Sequence, residues 1–279
     1  MKQEDYDFFK ENGYLSLGNI LSADEVARFV NVFERERRDF SRFWNDNGIW
    51  QTQYCESLLT APEFDEIIRH PTVMEPVRGL MGGEVCFAQT HLNHMGPYEG
   101  EPIPGMTSWD GPVGRRWHRD GGERLMWPEH PLRIGYIRLM LYLSDVSAAS
   151  HCFSISPESI DQEILDKEGQ LARGGVCDLH GGAGTAILFN ISCLHTATVR
   201  PTKTARKTVG ILYGHRHRAD IVEATYIPPS LWRDHPDEEV RGFYGVLNNK
   251  TREYIKRTAG REEIPVNETL EILTEMENV

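Results

Sequence analysis

Apolar residues recur at helical spacing near the start of the chain and at strand spacing in its middle. The spacing predicts helices over residues 3–12 and from residue 23 onward, where Ser22 and Glu25 fit the capping box of the second helix. Further helices are predicted over residues 62–81 and in the tail. The predicted strands cover residues 85–95, 133–146, 152–156, 176–179, 185–189, 195–199 and 207–213.

These strands follow one another and do not alternate with helices, which argues against a parallel βαβ sheet. Several short strands with turn signals between them are typical of a sandwich or barrel. We therefore predict a mainly β fold with flanking helices, built as a double-stranded β-helix, or cupin-like jelly roll. The 279 residues are predicted to form a single domain. Its parts are an N-terminal helical part (1–83), a jelly-roll core (84–215) and a C-terminal helical extension (216–279).

One predicted strand carries a polar stripe. In residues 85–95, Gln89, His91 and Asn93 would share one face, because side chains alternate along a strand. Two interpretations fit this pattern equally well: the face lines a wet cavity, or the strand lies at a sheet edge with its polar side in solvent. A loop rich in Gly and Pro follows over residues 96–116 and is predicted to act as a lid.

That loop leads into a His-x-Asp motif. In an extended segment His118 and Asp120 project to the same side, while Arg119 points away. Such a tripeptide often occurs by chance, but here a block of strands, His195 and then Arg206 follow in order. Two imidazoles and one carboxylate can hold ferrous iron and leave three positions open. A guanidinium such as that of Arg206 can bind one end of a dicarboxylate with two hydrogen bonds. The four residues together therefore predict an iron site with a dicarboxylate beside it.

The net charge excludes some classes of binding partner, and the cysteines indicate the cellular location. The formal net charge is −12 and the sequence pI is about 5.4, which disfavours binding to nucleic acid or to an anionic membrane. No apolar run reaches the length of a transmembrane helix, and no apolar signal region opens the chain. Five scattered cysteines without a Cys-x-x-Cys pair favour a reduced cytoplasm. We expect a cytoplasmic protein with a small-molecule substrate.

Several motifs in chain order resemble the phytanoyl-CoA dioxygenase family of iron(II)- and 2-oxoglutarate-dependent oxygenases. The motifs are Phe8–Leu15, Leu21–Val26, Trp117–Asp120, Phe153–Ser159, Gly184–Asn190, His195 and Arg206. The first two resemble the family's opening helix, strand and second helix. None of the motifs is specific alone, but together they are, and the resemblance extends over most of the chain. The resemblance implies a jelly-roll oxygenase.

The resemblance also implies roles for individual residues. The iron ligands would be His118, Asp120 and His195. The contacts to 2-oxoglutarate would be Arg206, Asn93 and Thr185, with Arg206 on the distal carboxylate. The expected substrate contacts are Gln89, His91, Arg124, Trp127, Tyr136 and Arg138, of which the resemblance supports Gln89 and the position near the predicted site supports the others. Gln89 lies in a run similar to one in ectoine hydroxylase, whose glutamine touches the substrate, and the basic side chains favour an anionic substrate.

An enzyme of this kind uses Fe(II), 2-oxoglutarate and O2 to hydroxylate, desaturate or cyclise at an unactivated C–H, and it releases succinate and CO2. Asp120 keeps the carboxylate that related halogenases replace with Gly or Ala, so halogenation is not expected. One alternative is a cupin-like metal-binding protein without oxygenase activity. A second is a zinc hydrolase, but no general base is obvious beside the ligands and Arg206 would have no role.

Three features depart from the family pattern. Met95 stands where a lysine for 2-oxoglutarate is frequent, and Arg119 stands where glutamine or serine is common. In the turn after the strand at 152–156, Glu158 and Ile160 replace a glycine and a histidine. These departures concern secondary contacts to the co-substrate and the identity of the substrate, and they leave the predicted iron ligands unchanged.

Overall fold

The computed structural model describes residues 1–47, 51–101, 103, 114–120, 127, 129–217, 225–261 and 263–277. Its strands are β1 (Tyr14–Asn19), β2 (Asn45–Asp46), β3 (Gln51–Tyr54), β4 (Val85–Met95), β5 (Gly114–Arg115), β6 (Tyr136–Tyr142), β7 (Cys152–Ile155), β8 (Cys177–Leu179), β9 (Thr185–Asn190), β10 (His195–Val199) and β11 (Arg206–His215). Its α-helices are α1 (Gln3–Asn12), α2 (Ala23–Asp39), α3 (Ser57–Thr60), α4 (Asp65–Ile68), α5 (Pro71–Met81), α6 (Lys167–Gly174), α7 (Pro229–Trp232), α8 (Glu238–Tyr244), α9 (Asn249–Arg257) and α10 (Val266–Glu277). Among these helices, none is long and apolar enough to cross a membrane.

Two antiparallel sheets form the centre of the fold. The large sheet has the strand order β1-β9-β6-β11-β4-β3-β2, and the small sheet has the order β5-β10-β7-β8. Consecutive strands change sheets, since β9 and β11 lie in the large sheet and β10 between them lies in the small one. This winding is that of a jelly roll. The predicted mainly β jelly roll with flanking helices is confirmed.

The large sheet is buried on both faces, which explains why β6 carries apolar side chains on both faces, with Arg138 as the exception. Ile137 and Leu139 point to the outer face and share a buried cluster with Val77 of α5. Met140 points to the inner face and shares a second cluster with Phe153 of β7 in the small sheet. Helices therefore cover the outer face, and the small sheet packs against the inner face. The strand itself, Tyr136–Tyr142, is shorter than the predicted 133–146.

The polar stripe of β4 lies inside the fold. β4 pairs with β11 on one side and with β3 on the other, so it is an interior strand. Gln89, His91 and Asn93 are buried, with 9%, 2% and 5% of their surfaces exposed. Gln89 pairs with Leu212, which belongs to the cluster between the sheets. The edge-strand interpretation is therefore wrong, and the stripe faces the small sheet.

The N-terminal part contributes strands as well as helices. α1 has the predicted bounds, and Ser22 and Glu25 form the predicted capping box of α2. β1 lies between these helices and pairs along β9, while β3 pairs along β4. Strands from the part predicted to be helical thus extend the large sheet. The single domain with its three parts stays a prediction.

Gly13 ends α1 and lies against the loop that leads to His195. Its φ is +74°, and a Cβ atom there would lie 2.2 Å from Cys193 Sγ. We expect Gly13→Ala to lower the free energy of unfolding, measured by urea titration, by about 2–4 kcal/mol, because backbone strain and overlap add. Gly18→Ala is the matched control, since its φ is +68° with nothing within 4 Å, and about 1–2 kcal/mol is expected. Equal losses would contradict the steric contribution.

Candidate metal centre

Backbone pairing brings the His-x-Asp motif next to the start of β10. His118 and His195 form an antiparallel bridge in which each backbone N–H donates to the other's carbonyl oxygen at 3.0 Å. The N–H of Asp120 donates to the carbonyl of Ile191, also at 3.0 Å. Since residues 118 and 120 project to the same side of an extended segment, this pairing places both imidazoles and the carboxylate together.

The ligand atoms of these three side chains converge. His118 Nε2 lies 3.4 Å from Asp120 Oδ1, and His195 Nε2 lies 3.7 Å from Asp120 Oδ2. One ligand atom from each residue lies within 4.8 Å of the others. Neighbouring ligands with metal bonds of about 2.1 Å are about 3 Å apart, so the spacing suits a single ion. The donor set therefore fits the iron that the sequence predicted.

Backbone carbonyls set the tautomers of both imidazoles. His118 Nδ1 lies 3.0 Å from the carbonyl oxygen of Arg116, and His195 Nδ1 lies 2.8 Å from that of Cys193. A carbonyl oxygen can only accept, so both Nδ1 atoms carry the proton and donate it. Both Nε2 atoms then direct their lone pairs at the shared point, which is the usual outer support of a metal-binding histidine.

The charges of the cluster suit a cation. Burial lowers the pKa of His195 to about 4, so this imidazole is neutral at pH 7. Burial raises the pKa of Asp120, but Arg138 and the two imidazoles lower it by more, so the pKa of the carboxyl is well below its ordinary value. Arg138 Nη2 lies 3.2 Å from Asp120 Oδ2. Burial lowers and Asp120 raises the pKa of His118, with a net upward shift. A metal ion must therefore displace a proton from His118 when the pH is low.

Arg206, the first residue of β11, has a buried guanidinium that is only 3% exposed. Within the described residues, its Nε and Nη1 atoms have no hydrogen-bond partner, and Nη2 donates to Gln51 Oε1 at 3.4 Å. Burial lowers the pKa of Arg206, but a guanidinium keeps its proton at neutral pH. A buried cation without a carboxylate is costly, so this arrangement fits the binding of an anion.

Two more buried polar atoms near Arg206 have no partner in the described ranges: Asn93 Oδ1 and Thr208 Oγ1. Asn93 pairs with Thr208, and Met95 pairs with Arg206, two residues along each strand. These side chains therefore share one face of the large sheet. An amide and a hydroxyl beside a guanidinium can complete the hydrogen bonds of a bound dicarboxylate.

His91 and Gln89 lie further along the same face. His91 pairs with Gly210, and a Cβ atom on Gly210 would lie 2.0 Å from His91 Nε2, so the ring lies directly on the glycine. Burial lowers the pKa of His91 to about 3, so the imidazole is neutral. Its Nδ1 atom has no partner among the residues that the structure places. The ring thus offers an unused polar atom toward the space between the sheets.

The other predicted contacts lie at varying distance from this face. Thr185 is two strands from Arg206, on β9, and its side chain packs against Gly181. Trp127 packs its ring against His215, with the centroids 4.9 Å apart. Tyr136 is buried on the inner face of β6. Arg124 lies outside the described residues, as does most of the predicted lid, of which residues 96–101, 103 and 114–116 are described.

Sequence reasoning missed Gln51, Thr208 and Gly210. A glycine inside an apolar strand often marks a close approach of another group, and that signal could have identified Gly210. Gln51 and Thr208 carry no such signal. Gln51 lies beside Arg206 because β4 separates β3 from β11 and Met95 pairs with both residues, whereas Thr208 is two residues from Arg206 on β11 itself.

A second cluster of potential metal ligands is already neutralised. Cys152, Asp178 and His180 also have ligand atoms within 4.8 Å of one another. The carboxylate of Asp178, however, accepts from Arg115 Nη2 at 3.0 Å and from Arg200 Nη2. Two guanidinium groups repel a cation at this point, so we interpret the cluster as an ion-pair network that joins strands of the small sheet.

The jelly-roll fold and the convergent side chains fit a non-haem iron(II)- and 2-oxoglutarate-dependent dioxygenase, a class of enzyme that uses O2 and here acts on a small molecule. A family model described as phytanoyl-CoA dioxygenase (PhyH) matches residues 9–208. The chain belongs to the phytanoyl-CoA dioxygenase family. The enzyme class and the cofactors predicted from the sequence are thereby confirmed.

Individual proteins are similar to this chain at 16–23% sequence identity. The ectoine dioxygenase of Stutzerimonas stutzeri (strain A1501) is 23% identical over 230 residues, which are 74% of each chain. The crystal structure of EctD from S. alaskensis with bound Fe superposes with a TM-score of 0.62 and 19% identity, covering 82% of both chains. The carbocyclase SnoK from nogalamycin biosynthesis gives a TM-score of 0.61 with 16% identity, covering 77% of this chain and 85% of that one. Both structures share the fold of this protein.

Proposed function

We propose that His118 Nε2, His195 Nε2 and the carboxylate of Asp120 bind Fe(II). The observation that carries the proposal is the convergence of these donors at one point, within 4.8 Å of one another. Two neutral imidazoles and one carboxylate suit ferrous iron and leave positions for a chelating 2-oxo acid. Arg138 orients Asp120 through its contact at 3.2 Å.

We infer that 2-oxoglutarate binds with its distal carboxylate on Arg206. The guanidinium is buried and has two donor atoms without partners in the described part of the chain, which supports this assignment. Asn93 and Thr208 would hold the same molecule from the side, while the role of Thr185 stays a prediction. When bound, iron, 2-oxoglutarate and O2 supply the oxidation of a C–H bond, with succinate and CO2 as products.

The proposed substrate is a small molecule that carries a carboxylate or another hydrogen-bond acceptor. Gln89, His91 and Arg138 support this proposal because they share the inner face of the large sheet near the metal ligands. Arg138 Nε is buried and has no partner within the described ranges, as is also true of His91 Nδ1. A substrate that accepts hydrogen bonds from these groups would satisfy them, and Trp127 and Tyr136 would border it.

Hydroxylation is the reaction that we propose. With Asp120 as the proposed third ligand, no coordination position is left there for a halide. Desaturation and ring closure begin with the same oxidation and depend on the substrate. The cytoplasmic location and the lack of nucleic-acid partners stay predictions from the sequence.

The test is a turnover assay with purified protein, Fe(II), 2-oxoglutarate and O2. Ectoine is the first candidate substrate, because a curated relative is an ectoine dioxygenase, and small carboxylic acids form the rest of the panel. We expect succinate in proportion to the substrate consumed and a product one oxygen atom heavier by mass spectrometry. Metal-loaded protein that forms no iron-dependent succinate with any compound would favour the cupin-like alternative.

Gly210→Ala tests the place of His91 in this site. The new methyl group would lie 2.0 Å from His91 Nε2 and displace the ring. We expect kcat/KM in the turnover assay to fall about 100-fold, since a shift near 1 Å in a positioning group has that effect. Gly182→Ala is the control, because a Cβ atom there would have its nearest neighbour, Asp145 Oδ1, at 3.6 Å. A folded Gly210→Ala variant with normal kcat/KM would show that His91 does not position the substrate.

A further inference from the structure

Arg119 stands between two of the proposed metal ligands but points away from them. Its Nη1 donates to Glu158 Oε2 at 2.5 Å, and its Nη2 donates to Glu158 Oε1 at 3.0 Å. Nη1 also donates to the carbonyl oxygen of Ser192 at 2.5 Å, and Nη2 donates to that of Leu165 at 3.4 Å. One guanidinium thus joins three segments of the chain.

The contact with Ser192 couples Arg119 to the third proposed ligand. Ser192 lies three residues before His195, and the carbonyl of its neighbour Ile191 accepts from the N–H of Asp120. Arg119 therefore holds the 118–120 segment against the loop before His195, from the side opposite the metal site. Adjacent residues are linked by rigid peptide units, so a displacement of Arg119 moves the ligands on both sides of it.

Glu158 is fixed from its other side. Its backbone N–H donates to the carbonyl of Asn12 at 3.2 Å, and Arg173 Nη2 lies 3.6 Å from its Oε1. The side chain of Glu158 is 7% exposed and that of Arg119 is 19% exposed, so water competes little for the pair. Two parallel N–H···O bonds also fix the orientation of the guanidinium. The geometry is therefore much more restricted than that of a surface ion pair.

We propose that Arg119 and Glu158 are a positioning pair that sets the spacing of His118 and Asp120 against His195, so that metal affinity depends on their ion pair. Neither side chain touches the proposed metal position, and both act through the backbone segments that they join. This inference rests on the proposed metal site. Groups that orient metal ligands from outside the coordination shell typically contribute about 10–100-fold in metal affinity.

The test is a titration of the apoprotein with Co(II), followed by visible absorption, in Arg119→Met, Glu158→Gln and the double variant. Each single change is expected to weaken Co(II) binding about 10–100-fold. The double variant should bind no more weakly than the weaker single variant, because the two residues act as one unit. Arg119→Lys, which keeps the charge, should recover part of the affinity. Circular dichroism and a thermal melt show which variants are folded at the temperature of the titration.

Two controls separate the possible outcomes. Arg69→Met removes another two-bond pair, since Arg69 donates to Asp65 at 2.8 and 2.5 Å beside the outer face of the large sheet. It should lower the melting temperature without changing Co(II) affinity. Asp120→Ala should lose Co(II) binding. Folded Arg119→Met or Glu158→Gln that binds Co(II) like the wild type overturns the positioning pair, whereas Asp120→Ala that binds normally overturns the metal site and the pair with it.

Discussion

Asp120→Ala is expected to abolish product formation and to weaken metal binding by more than about 100-fold. The change removes a direct ligand, so the loss should exceed the range of about 10–100-fold seen for groups outside the coordination shell. It also leaves Arg138, now 3.2 Å from the carboxylate, as an uncompensated cation beside the metal position. Succinate release and Co(II) titration measure the two effects separately.

Asp178→Ala is the matched control for this prediction. Asp178 is also a half-buried carboxylate in a cluster of potential ligands, but Arg115 and Arg200 neutralise it. Its loss should lower the melting temperature, because two guanidinium groups lose their partner, and should leave the metal stoichiometry unchanged. Full product formation by Asp120→Ala would disprove the proposed triad.

Arg206→Met is expected to weaken 2-oxoglutarate binding by roughly 30-fold or more, because truncating one side of a buried charge pair costs about 2–5 kcal/mol. Co(II) affinity should stay at the wild-type value, since none of the proposed metal ligands contacts Arg206 in the described part of the structure. The apoprotein of this variant should be at least as stable as the wild type. Among the residues that the structure describes, no carboxylate pairs with the buried guanidinium of Arg206, and an apolar side chain of similar length removes the cost of burying that charge.

Lys207→Met provides the control on the next residue of β11. Lys207 points to the opposite face and pairs with Glu34 at 2.7 Å. The KM for 2-oxoglutarate should not change in this variant, although it loses the same formal charge. An unchanged KM in Arg206→Met would mean that another group holds the distal carboxylate.

Much of the fold was predictable because its signals are local. The bounds of α1, the Ser22–Glu25 capping box and the alternation along β4 each depend on residues only a few positions apart. The proposed metal-binding triad could be predicted from the sequence for a related reason. His118 and Asp120 stand in one motif, and His195 follows in the order that the family resemblance implies. Strand ends were less predictable, as in β6, because the pairing partners decide where a strand stops.

The position of the polar stripe could not be read from the strand alone. Gln89, His91 and Asn93 alternate in the same way whether β4 is an edge or an interior strand. Pairing with β11 and β3 puts the strand inside the sheet and turns these side chains toward the space between the two sheets. That pairing also brings Gln51 to Arg206, although 155 positions separate them along the chain.

By itself, the sequence determined the helix α1, the start of α2 and the centres of the core strands, which side chains alternate along those strands, and which chemical groups are available for a metal site. The tertiary structure alone decided that Arg119 meets Glu158, that the ring of His91 lies on Gly210, and that Asp178 is neutralised by two arginines. Propensity and periodicity act over a few residues, whereas these contacts join distant segments. Such contacts depend on the order of the strands and the packing of the sheets, which no short stretch of sequence encodes.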